Sequence, residues 1–155
     1  MELRSILNFV FKGVKLVLGV IIVILYRTGS NGDFLGVGGT WNLNEEKSPD
    51  SEIVASGVIV GFLIYGSAIL LAALLGGKDH EDSIVDAIMN IAGGILYLAV
   101  AGTCLHYWHG FIADRNLEES TERVIGLTLG SLCVFQALFH LIDGALTCIN
   151  VVEFY

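Results

Sequence analysis

The sequence predicts an all-α membrane protein, a four-transmembrane-helix bundle with two short extracellular loops. Three observations lead there. Of 155 residues, 54% belong to the set AVILMFWYC and only 15% are charged, with a mean hydropathy of +0.73, whereas soluble domains carry about 25% charge. Four stretches stay apolar over the roughly 18 or more residues that a spanning helix needs. None of them has the alternation of a barrel strand, and a chain in lipid must otherwise satisfy its own amides as a helix. The length permits a single domain, and the composition excludes soluble globular, disordered and disulfide-rich secreted classes.

The first span covers residues 6–26. Lys12 and Lys15 interrupt it, leaving Leu16 to Tyr26, a stretch that alone resembles a signal-peptide core. Tyr26-Arg27-Thr28 offers no small-x-small cleavage site, and lysine stems carry their amines toward the headgroups, so the segment reads as a retained span. The second, 53–75, contains no charge. The third, 84–107, contains Asp86, Asn90 and His106 as its strongly polar groups, and the fourth, 124–149, contains Gln136, His140 and Asp143.

An even number of spans places both termini on one side. Arg4, Lys12, Lys15 and Lys78 fall on that side and Arg27, Lys47, Arg115 and Arg123 on the other, so the total does not orient the chain. The bases that lead into the first helix do, and they place both termini in the cytoplasm. Loops 28–52 and 108–123 then face outward with Asp33, Glu45, Glu46, Asp50, Glu52, Asp114, Glu118, Glu119 and Glu122, which accounts for most of the net charge of −8. Such acidity confers solubility, or alternatively a charge-selective surface. It excludes a basic nucleic-acid interface, and the expected partner of the spans is membrane lipid. Cys104, Cys133 and Cys148 all lie in or at the ends of helices, so no loop has a cysteine pair to staple it. Cys148 reads as a small buried apolar residue or as a palmitoylation site.

Ionisable groups at membrane depth need a partner or a function. Gln136, His140 and Asp143, at i, i+4 and i+7, share one face of the last helix. Asp86 and Asn90 lie near the start of the third at a similar depth, as do Lys12 and Lys15. These residues form an expected inner-leaflet cluster in which a lysine pairs with Asp143 or Asp86 while His140, Gln136 and Asn90 complete the hydrogen bonding. Polar pairs of this kind lock helices together; carboxylate and histidine strings also line ion and proton paths.

Gly57 with Gly61 and Gly126 with Gly130 form two GxxxG spacings, which favour close packing within the bundle or self-association into a homo-oligomer. His106, Tyr107, Trp108 and His109 end the third span as an interfacial belt; two histidines without a third ligand are a weak metal signal. The first outer loop interleaves glycine with Phe34, Leu35, Val37, Trp41 and Leu43. A flexible linker does not need those side chains, so part of the loop is expected to fold back on the bundle or to meet a partner through Phe34, Leu35, Trp41, Asn42 and Leu43. Its glycines form neither a phosphate loop nor a dinucleotide site. No catalytic arrangement, cofactor motif or metal-binding motif is present, and the chain reads as a non-enzyme.

The stretch Gly32-Asp33-Phe34-Leu35-Gly36-Val37-Gly38-Gly39-Thr40-Trp41-Asn42-Leu43-Asn44-Glu45-Glu46-Lys47, the run Glu52-Ile53-Val54-Ala55-Ser56-Gly57-Val58 and the later Leu105-His106-Tyr107-Trp108-His109-Gly110 resemble the Snakeskin family of arthropod smooth septate junctions. The resemblance extends in layout over the whole chain. It implies four spans, short cytoplasmic ends, a plasma-membrane location at lateral cell contacts and a structural role in the epithelial paracellular barrier, with a Mesh-like protein and a tetraspanin as partners. The layout is also loosely similar to claudins, but the claudin loop has a cysteine pair after its tryptophan motif and this one does not. The alternative to a junction protein is a small oligomeric ion or proton channel or transporter that uses the His140 and Asp143 stripe.

Overall fold

The computed structural model describes residues 3–29, 32, 34–37, 49–75, 83–111 and 121–154. Four α-helices run through it: α1 (Leu3–Thr28), α2 (Pro49–Leu74), α3 (Ile84–His106) and α4 (Thr121–Phe154). All four are long and apolar enough to cross a membrane, and no strand occurs among the described residues. The protein is a multi-pass membrane protein of four helices.

The helix ends follow from local chemistry. Gly29 stops α1 at a φ of 51°, the left-handed conformation that glycine takes without a Cβ penalty. The only proline in the sequence opens α2, where its fixed φ is already helical and its missing N–H would have had no partner. Asp50 and Glu52 in the same turn lie at the positive end of the helix dipole, which explains why this charged segment joins the helix rather than the loop. Ser83 caps α3 by accepting a 3.1 Å bond from the Asp86 N–H. A π-helical turn, Tyr107–Phe111, follows α3.

Packing is closest between α3 and α4. Buried along α4 are Gly126, Gly130, Cys133, Ala137, His140, Gly144 and Thr147, at alternating intervals of four and three that form a continuous seam. Absent side chains let the helix backbones approach. A Cβ on Gly130 would lie 2.8 Å from Leu105, and one on Gly94 would lie 2.5 Å from Leu141. A Cβ on Gly126 would overlap the indole of Trp108.

Trp108 departs from the interfacial-belt expectation. It is fully buried, because the π turn swings it inward onto the bare backbone of Gly126, and Arg123 Nε donates to its carbonyl at 3.1 Å. His106 and His109 stay exposed and Tyr107 is partly so. The two GxxxG pairs also diverge. Gly126 and Gly130 are packed inside the bundle, whereas Gly57 and Gly61 lie on an exposed face of α2 with nothing near where a side chain would begin.

Candidate functional site

Two features are built from residues that the hydropathy pattern would not require. The first is a polar clasp toward the end of the bundle that carries both termini. Counting about 1.5 Å per residue, Lys15 lies about 12 Å in from the start of its span at Leu7, and Asp143 lies about 14 Å in from the end of its span at Val152. Antiparallel α1 and α4 thus bring them to one level. Asp86 and Asn90, one helical turn apart near the start of α3, complete that level from a third helix.

All seven residues that sequence reasoning placed in this cluster are buried: Lys12, Lys15, Asp86, Asn90, Gln136, His140 and Asp143. Lys12 Nζ donates to Asp86 Oδ2 at 2.7 Å and stands 3.6 Å from Asp143 Oδ2. Lys15 Nζ donates to Asp143 Oδ2 and, at 2.7 Å, to Asn90 Oδ1. His140 Nδ1 meets the same Asn90 oxygen at 2.9 Å, and Gln136 Nε2 donates to the Lys15 carbonyl at 3.1 Å. Two lysines face two aspartates, so the quartet is electrically neutral, as a low-dielectric interior demands.

Tyr65 brings the fourth helix in, and sequence reasoning missed it. Its Oη donates to Asp86 Oδ1 at 2.8 Å. The signal available was the one tyrosine in an uncharged span, at a depth where Tyr O–H seeks a partner. Gly93 makes room for the histidine: a Cβ there would lie 3.0 Å from His140 Nδ1 and 2.7 Å from Phe62. Phe62 and Tyr97 enclose the imidazole, with ring centroids 5.2 Å and 5.5 Å away.

The second feature is the start of the loop after α1. Phe34 packs edge-on against Tyr26 at 5.1 Å and lies under the Arg27 guanidinium at 5.5 Å. Leu35 and Val37 are buried in the core. Glu52, from α2, holds the turn: its Oε1 accepts from the Val37 N–H at 2.9 Å, and its Oε2 accepts from Tyr26 Oη at 2.9 Å. Gly36 N donates to the Tyr26 carbonyl at 3.1 Å with a φ of 66°. Trp41, Asn42 and Leu43 lie outside the described residues.

The Gly36 geometry makes a direct prediction. An alanine Cβ there would fall 2.5 Å from a Glu52 carboxylate oxygen and would hold a left-handed conformation that costs about 1–2 kcal/mol. Gly36→Ala is therefore expected to release the turn. A cysteine placed by Leu35→Cys should be protected from a membrane-impermeant maleimide in the parent chain and labelled rapidly in the Gly36→Ala background.

Comparison with known proteins bears on the whole chain. No protein-family model matches it, and no solved structure matches it. Over 150 residues it is 46% identical to Protein snakeskin of Drosophila melanogaster, covering 96% of this chain and 93% of that one. It is 47% identical to Protein snakeskin of Bombyx mori, covering 96% of both. The chain belongs to the snakeskin family. The match runs over nearly the whole of each chain.

Proposed function

We propose that this snakeskin-family protein is a non-enzymatic structural component of smooth septate cell junctions that supports the epithelial paracellular barrier. The observation that carries this reading is the nearly full-length relationship to the two snakeskin proteins. The protein acts from the plasma membrane of lateral cell contacts, with both termini in the cytoplasm and the loops of 28–52 and 108–123 outside. Its partners are a Mesh-like protein and a tetraspanin. The bundle anchors, the first loop makes the contact, and the open Gly57 and Gly61 face of α2 supports lateral assembly in the membrane, including with further copies of the chain.

The turn at Phe34 to Val37 suits that role. Glu52 ties both Val37 and Tyr26 to the start of α2, and preorganisation of that kind lowers the entropy lost on contact. The clasp suits anchoring more than conduction, because each lysine is spent on a carboxylate.

The deciding measurement is localisation. Tagged protein is expected to concentrate at lateral cell contacts, and Trp41→Ala is expected to abolish that accumulation at unchanged surface expression. Uniform surface staining of the parent chain, together with a conductance lost in His140→Leu, would instead favour the channel or transporter.

A further inference from the structure

Beside the clasp lies a small, partly open cavity, and two of its walls carry buried polar atoms with no partner among the described residues. The cavity leaves about 20 Å³ open to the centre of a water-sized sphere and is lined by Lys12, Lys15, Gly19, Tyr65, Gln136 and His140 among others. A single water needs at least about 10–15 Å³ by that measure, with two to four polar partners. The unpartnered atoms are Gln136 Oε1 and His140 Nε2, on residues that are each 3% exposed.

Their chemistry follows from the atoms that are paired. Lys15 has an ammonium, which only donates, so the Asn90 atom that it meets at 2.7 Å is the amide oxygen. That oxygen has no proton to give, so the contact from His140 Nδ1 at 2.9 Å is a donation by Nδ1–H. In the neutral imidazole the other nitrogen, Nε2, is then an acceptor. Gln136 has already given its amide N–H to the Lys15 carbonyl, and its Oε1 is likewise an acceptor. The cavity wall thus presents two acceptors. It also presents donors, since a lysine has three N–H groups and Lys15 uses two of its own on Asn90 and Asp143.

We propose that this cavity is a binding site for one water molecule, which donates one proton to His140 Nε2 and the other to Gln136 Oε1 and accepts from a lysine ammonium. Water is the one small ligand that fits both the volume and the pattern. An anion cannot bond to two acceptors, and a cation meets two ammonium groups. The water completes the clasp by joining α1 to α4 at a point where their side chains do not meet directly, and it fixes the histidine as the Nδ1–H tautomer.

Nitrogen-15 histidine spectra of the full chain in vesicles of acyl-deuterated phosphatidylcholine test this. The expected result is a non-protonated Nε2 at His140, assigned by its loss in His140→Gln, that receives proton magnetisation from water despite its depth in hydrocarbon. Gly19→Ala supplies the paired test, because its methyl would enter the cavity wall at 3.4 Å from Leu63 and 3.8 Å from the Gln136 amide nitrogen, ordinary contacts that the fold accepts. It should abolish the transfer, while Gly13→Ala, with nothing within 4 Å of its added carbon, should leave it intact. A protonated Nε2 in the parent chain, no transfer from water to it, or equal transfer in the parent and Gly19→Ala chains would each overturn the proposal.

Discussion

Replacing Asp143 by leucine is expected to cost about 3–5 kcal/mol of bundle stability, the usual penalty for leaving one member of a buried ion pair alone. Asp143 is fully buried and is the carboxylate on which Lys15 rests; without it the ammonium is held well inside the span with no carboxylate bonded to it and the Asn90 oxygen as its side-chain acceptor. Lys15→Met combined with Asp143→Leu should recover most of the loss, since two apolar residues of similar volume ask nothing of the surroundings. Lys12→Met should cost less than Asp143→Leu, because Asp86 keeps its bond from Tyr65 and its place in the first turn of α3. Reversible unfolding in mixed detergent micelles measures all three variants against the parent chain. A double variant no more stable than Asp143→Leu alone would contradict a clasp built on charge pairing.

Gly126→Ala is expected to disrupt the α3–α4 pair by at least the roughly 1–3 kcal/mol of an overpacked core. The reason is the neighbour's stiffness. At Gly94 and Gly130 the nearest facing atoms belong to leucine side chains, which have other rotamers, whereas at Gly126 a Cβ would overlap the ring system of a fully buried tryptophan. The Trp108 indole must leave its slot, and the Arg123 bond to the Trp108 carbonyl is strained with it. The same unfolding assay should rank Gly126→Ala well below Gly94→Ala and Gly130→Ala. Gly57→Ala, with open space around it, should be stable or slightly improved by its better helix propensity. Trp108 fluorescence should shift to the red in Gly126→Ala as the indole leaves the core.

These particulars show where the sequence is legible. The four helices are, because an uncharged stretch of spanning length has few other fates. The clasp residues are too, because a charge in hydrocarbon declares itself and helical spacing places it on a face. The fate of Trp108 is not: Tyr-Trp at the end of a span has the composition of an interfacial belt, and its burial depends on a glycine in the facing helix, which no one-helix pattern reveals. Nor does spacing separate Gly57 and Gly61 from Gly126 and Gly130, since the same GxxxG interval is open to the surroundings on α2 and closed by side chains on α4. Tyr65 escaped notice because a hydroxyl in an apolar run has meaning only once Asp86 stands opposite it.

The clasp also has a schedule. Lys12 and its carboxylate are 74 residues apart in sequence, and Lys15 and its carboxylate are 128 apart. When α1 leaves the ribosome, neither aspartate has been synthesised, so its lysines meet the bilayer without counter-charge at a cost of a few kcal/mol each. The first helix therefore lacks one counter-charge until α3 is made and the other until α4 is made. A nascent chain halted before α4 should leave α1 held by the insertion machinery or extractable from the membrane by alkali, and release of the full chain should make it resistant. Asp143, on the last helix, is the counter-charge that Lys15 lacks until α4 is made.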